Sequence, residues 1–116
     1  MGDVEYRDAA TGLLTVGVFD DGGSRVIRVG GELDLSTVPI LEDELEAALE
    51  RLDGGVVVDL SDLEFIDSTG IAVLVRAMGD EGSRMSFVPS RSAAVVRVLE
   101  MTGVAERMQM ADGIAS

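Results

Sequence analysis

The spacing of apolar residues changes several times along this chain, and each change marks an element. The stretches 13–19 (LLTVGVF) and 25–31 (RVIRVGG) are rich in β-branched residues and partly alternate, as strands do. Between them DDGGS (20–24) supplies hairpin turn chemistry, which predicts two antiparallel strands. Arg25 and Arg28 are read as facing outward, which leaves one sheet face for helices. The period then lengthens. Leu41, Leu45, Leu49 and Leu52 recur at helical spacing with acids between them. Thr37 is suited to cap this helix, Pro39 fits its first turn, and Glu42, Asp43 and Glu44 suit its positive end. Gly54 and Gly55 mark its end, and the short apolar run 56–60 (VVVDL) reads as a buried strand. A helix between two strands is a crossover, so this strand is expected to lie parallel to its neighbour.

A second helix is predicted over 68–78. Ile71, Leu74, Val75 and Met78 share one face, and Gly79 ends it. MSFV (85–88) reads as a strand closed by Pro89. Ser90 is suited to cap a third helix that runs to about Met101, with Val95, Val98 and Leu99 inward and Gly103 at its end. VAERMQM (104–110) adds a short turn or strand, and residues 1–12 read as a loose lead-in. The order β-β-α-β-α-β-α predicts an α/β fold: one small domain over 13–110, with a mixed sheet of about four strands and helices mainly on one face. No repeat, linker or low-complexity segment interrupts it.

The start of the second helix, FIDSTGIAVL (65–74), is more polar than a helix start requires. With Ser68 as the N-cap, Ala72 would form a weak staple. With Asp67 as the N-cap, Ile66 and Ile71 take the two staple positions that fix how a chain enters a helix, and this assignment is preferred. Ser68 then holds the first helical position with a hydroxyl not needed for capping. Gly70 is a poor helix former, and its missing side chain leaves room for a visitor beside the hydroxyls. Hydroxyls are also common in first turns without any function. The functional alternative is phosphorylation, because a helix N-terminus stabilises an added phosphate.

Composition narrows the chemistry. The 116 residues fit one domain, with 47% hydrophobic residues but no apolar run long enough to span a membrane. The polar, acidic start is unlike a secretory signal, and its Met-Gly opening lacks the downstream residues of a myristoylation signal. There is no Cys and no His, which excludes disulfides, the usual zinc sites and every Ser-His or Cys-His catalytic arrangement. The formal net charge of −13 repels nucleic acid and anionic membrane. It favours a partner with a basic face, or it serves solubility. All nine basic residues are Arg, which reads as genome composition. Catalysis has little support. The DSTG sequence places its glycine one position later than an aspartic protease motif does. Asp34 and Asp67 could pair for acid–base work, but no base is present to activate a serine and there is no phosphate-binding glycine loop with lysine. No cofactor or metal site is expected.

Three stretches together resemble a known family. GELDLST (31–37), VVVDLSDLEFIDSTGIAVLV (56–75) and PSRSAAVVRVLEMTGV (89–104) look like the STAS domain, in particular the bacterial anti-sigma factor antagonists. The resemblance covers about 13–108, and FIDSTG is its most specific part. It implies a non-enzymatic cytoplasmic switch. In that family the serine directly after the aspartate, here Ser68, is phosphorylated by the partner, an anti-sigma factor that is also an ATP-dependent serine kinase. The unphosphorylated protein binds that partner and frees a sigma factor. Phosphorylation breaks the complex, and a metal-dependent serine phosphatase restores it. The resemblance places Asp34, Ser36 and Thr37 in the contact surface, beside Asp67, Ser68, Thr69 and Gly70. No direct nucleic acid or membrane contact is expected. A STAS domain can instead serve as a subunit of a transporter or of a larger signalling assembly. One stretch departs from the family: VRAMGDEGSRMSFV (75–88) is shorter than usual and acidic at Asp80 and Glu81, where a basic, alanine-rich helix end is usual.

Overall fold

The computed structural model describes residues 5–8, 14–50, 54–81 and 84–111. The hairpin forms where its turn chemistry lies. Strand β2 (Leu14–Asp21) and strand β3 (Ser24–Leu33) pair antiparallel, with Asp21 opposite Ser24. The two loop residues, Gly22 and Gly23, both have positive φ (58° and 89°), as a tight primed turn requires. Helix α1 (Val38–Leu49) then crosses to β4 (Val56–Ile66), which lies parallel to β3. Helix α2 (Ser68–Glu81) crosses to β5 (Met85–Val88), parallel to β4, and α3 (Ala93–Met101) follows. The chain closes with a 3-10 turn, Ala105–Arg107, and a single parallel bridge from Met110 to Phe87, so the 104–110 stretch supplies both a turn and a strand contact.

Strand β1 (Glu5–Asp8) pairs antiparallel with β2, where the sequence leads one to expect a loose lead-in. The sheet therefore has five strands in the order β1-β2-β3-β4-β5, antiparallel on one side and parallel on the other. The fold is the expected α/β domain on a mixed sheet, and the helices gather on one face. There Leu14, Val16, Val18, Ile27, Val29, Val56, Val58 and Leu60 from the strands meet Leu41, Leu45, Leu74, Val95 and Leu99 from the helices. No helix among the described residues is long and apolar enough to cross a membrane.

Several local expectations need correction. Residues 25 and 28 are three apart, so on a strand they cannot share a face. Arg25 is held at the turn by Asp20, at 2.7 Å. Arg28 lies on the face away from the core, against the ring of Phe19 and on Asp59, with Nε 3.0 Å from Oδ2. Asp59, inside the run taken as apolar, is buried. Burial opposes its charge, but Ser61 and Arg28 outweigh burial and hold its carboxyl below the usual range. Helix α2 runs three residues past Met78, through Gly79 to Glu81, so the acids at 80 and 81 close the helix. Helix α1 ends at Leu49, and Leu52 lies outside the described residues. The cap of α3 is Ser92, which accepts from the Val95 N–H. Ser90 is buried and donates to the Leu63 carbonyl at 2.7 Å.

Strand β4 extends six residues beyond the expected end. Its pairing with β3 slips twice, because Arg28 opposite Asp59 is followed by Gly30 opposite Asp62, and Gly31 opposite Leu63 by Glu32 opposite Phe65. Each slip inserts one extra residue into β4, as a bulge does. The core-facing residues are consequently Val56, Val58, Leu60, Leu63 and Ile66, with the spacing stretched from two to three. These slips bring Ile66 level with Leu33, and the Asp67 N–H donates to the Leu33 carbonyl at 3.1 Å. Parallel strands present their C-terminal ends together. The loops after β3 and β4 therefore meet at the C-terminal end of these two neighbouring strands.

Candidate functional site

The two loops are built alike. After β4, Asp67 Oδ1 accepts from the N–H groups of Thr69 (2.9 Å) and Gly70 (3.1 Å), and the Ile71 N–H donates to the Asp67 carbonyl. Asp67 is thus the N-cap of α2, as the staple spacing predicts. After β3, Asp34 Oδ1 accepts from the N–H groups of Ser36 (3.0 Å) and Thr37 (3.3 Å), and the Val38 N–H donates to the Asp34 carbonyl at 2.8 Å. In each loop the hydroxyl two residues on also donates to the aspartate: Ser36 at 2.7 Å, Thr69 at 2.5 Å. In each loop the residue directly after the aspartate is left pointing outward. These two residues are Leu35 and Ser68, and both are exposed.

The hydroxyls therefore divide the work. Thr69 completes the cap. The Ser68 hydroxyl makes no hydrogen bond among the described residues, and the residue is open to solvent. Asp34, Leu35, Ser36 and Asp67 line one shallow hollow, so the structure brings together the acids expected in the two loops. Two expected contact residues are not at the surface. Thr37 is fully buried. It stands at the N-cap position of α1, but its hydroxyl donates to the Glu32 carbonyl and accepts from the Asp34 N–H, both at 2.9 Å, and so staples the loop shut. Gly70 is buried too. A Cβ there would lie 2.9 Å from both Ile66 Cγ1 and Leu33 Cγ, so the space that it leaves is filled by core and holds no visitor.

Both aspartates are held ionised. At Asp67 burial opposes the charge, but the Thr69 hydroxyl and the N–H groups of Gly70, Thr69 and Leu35 outweigh burial and lower the pKa. At Asp34 the Ser36 hydroxyl is the largest cause of a lowered pKa. Burial works against it, and the N–H groups of Ser36 and Thr37 and the Thr37 hydroxyl add to it. A carboxyl depressed in the folded state contributes stability above its unfolded pKa and loses it as pH falls through the folded value. Asp67→Ala should therefore cost about 1 kcal/mol at neutral pH, and Asp67→Asn much less. Measured by urea unfolding, the deficit of Asp67→Ala should hold from pH 7 to pH 5 and shrink below about pH 4. Unfolding of both variants at the wild-type midpoint would remove Asp67 from the cap.

A family model described as Mlab, STAS domain, matches residues 16–111. The chain belongs to the STAS domain family. Among its relatives is the anti-sigma-F factor antagonist RsfB of Mycobacterium tuberculosis, 32% identical over 92 residues, which span 78% of this chain and 75% of that protein. The anti-sigma-B factor antagonist of Staphylococcus aureus is 29% identical over 89 residues, 75% of this chain and 82% of that one. The crystal structure of an anti-sigma factor antagonist from Mycobacterium paratuberculosis superposes with a TM-score of 0.76 at 30% identity, covering 87% of each chain.

Proposed function

We propose that this protein is an anti-sigma factor antagonist controlled by phosphorylation of Ser68. Unphosphorylated, it binds an anti-sigma factor in the cytoplasm and so frees a sigma factor. The partner, acting as an ATP-dependent serine kinase, modifies Ser68 and dissociates, and a serine phosphatase resets the cycle. The chain itself supplies a surface and no catalytic step.

The observation that carries this function is the contrast between two adjacent hydroxyls. Thr69 is committed to Asp67, whereas Ser68 is exposed and uncommitted at the first position of α2. A kinase needs a hydroxyl that it can reach and turn. The N-terminus of α2 can carry the new charge, since its dipole favours an anion even with the Thr69 and Gly70 N–H groups taken by Asp67. The test is incubation with the anti-sigma factor and ATP, mapping of the phosphate by mass spectrometry, and binding measured before and after. Phosphate found only on Thr69, or full-strength binding by the phosphorylated protein, would overturn the proposal. A non-catalytic role in a transporter or larger assembly needs no modification at all, and the same experiment separates the two.

Asp34 is ionised and borders the hollow, and the whole chain carries −13. The partner face should therefore be electropositive. Association measured by stopped flow should slow as salt rises, while dissociation changes little. An association rate indifferent to salt would leave the acidic surface with solubility as its only role.

A further inference from the structure

Four large apolar side chains are exposed among the described residues: Leu35, Phe65, Met101 and Met110. Only Leu35 lines the hollow with Asp34, Ser36 and Asp67. It is 73% exposed, in a loop that is anything but loose. Its neighbours on both sides are tied to the Asp34 carboxylate or to the Thr37 hydroxyl, and its own N–H helps stabilise the Asp67 charge. Leu35 stands at the same position after Asp34 as Ser68 does after Asp67. The two matching turns thus hold one apolar and one hydroxyl side chain outward at the same end of the sheet.

We infer that Leu35 is the apolar anchor of the anti-sigma factor interface, inserted into an apolar pocket on that partner whose rim is basic. Three features point to this occupant. The turn already fixes the backbone at Leu35, so binding orders only one short side chain and most of the gain from burying it is retained. Ionised carboxylates at Asp34 and Asp67 flank it, which calls for cations around the receiving pocket. A partner seated on Leu35 also covers the ground beside Ser68, because Leu35 and Asp67, the aspartate that precedes that serine, line the same hollow. Anchor and modification site then share one footprint, and a phosphate on one bears on the other.

This inference rests on the antagonist function proposed above, and the test keeps the two apart. The anti-sigma factors of the source genome, each purified, are titrated with wild type, Leu35→Ala and Leu35→Met by isothermal calorimetry and stopped flow. Leu35→Ala should keep the wild-type urea midpoint, since its side chain is mostly exposed, and should bind roughly 10- to 100-fold more weakly. The loss should lie in faster dissociation, with the salt dependence of association unchanged. Leu35→Met, of similar volume, should bind within about threefold of wild type. If Leu35→Ala binds like wild type, the anchor is wrong and the antagonist function stands. If wild type binds none of these partners, the antagonist function falls and the anchor with it. If the free protein is a dimer that Leu35→Ala splits, the surface belongs to a second copy, which also overturns the inference.

Discussion

Ser68→Asp is expected to unfold at the wild-type urea midpoint and to bind the anti-sigma factor a hundredfold to a thousandfold more weakly, on the order of 3–4 kcal/mol. The first half follows from position. Residue 68 is exposed at the first turn of α2, where a carboxylate gains from the helix dipole by roughly 0.3–1 kcal/mol, and the neighbouring Asp67 takes back part of that gain. The second half follows from desolvation. An anion pressed into an interface without a cation of its own loses its water and receives nothing in return. Ser68→Ala should bind like wild type, and the added kinase and ATP should not release it. Thr69→Val should still be phosphorylated, although it gives up the hydroxyl bond to Asp67. Binding by Ser68→Asp within about threefold of wild type, with the fold intact, would sink the switch.

Gly70→Val is expected to destabilise the domain by about 3 kcal/mol. Helix propensity taken alone gives the opposite sign, since glycine is the poorest ordinary helix former and its replacement gains up to about 1 kcal/mol. Contact decides otherwise. The first carbon added at residue 70 lies 2.9 Å from Ile66 Cγ1 and from Leu33 Cγ, and 3.0 Å from Leu33 Cδ2. Both neighbours are core residues at the ends of β4 and β3, and the two nearest atoms, Ile66 Cγ1 and Leu33 Cγ, are not the far tips of their side chains. Gly70→Ala tests the balance more gently and should still lose stability, because the clash arises at Cβ. Either variant unfolding at or above the wild-type urea midpoint would show that helix α2 can shift away from the strand ends without cost.

Local chemistry made much of this legible from the sequence. The glycines of DDGGS specify the hairpin. The staple positions Ile66 and Ile71 pick Asp67 over Ser68 as the cap, and that choice leaves the Ser68 hydroxyl spare. Non-local contacts hid the rest. Periodicity cannot follow β4 past Leu60, because the bulges break the alternation that marks a strand. Thr37 and Ser90 have the side chains of caps, yet each bonds a distant carbonyl, of Glu32 and of Leu63. Gly70 gave no sign that Leu33, from another strand, would fill its space. Leu35 does carry a signal in the sequence: it is a leucine set between Asp34 and Ser36 in a polar loop. Residues 5–8 offer too short a pattern to be read as a strand.

The two slips between β3 and β4 make chain length, rather than residue identity, the quantity under control just ahead of Ser68. Ser61 and Glu64 are the supernumerary positions, and neither is buried. Glu64 supplies a count, and Ser61 supplies a count together with its bonds to Asp59. Each shifts the phase of the strand by half a pleat, and the two shifts cancel by the time the chain reaches Ile66. The last strand residue therefore arrives inward-facing, and the turn that follows starts in the right orientation. In such a tether the exposed Glu64 side chain can vary, whereas an odd change in length turns the serine toward the wrong side of the sheet.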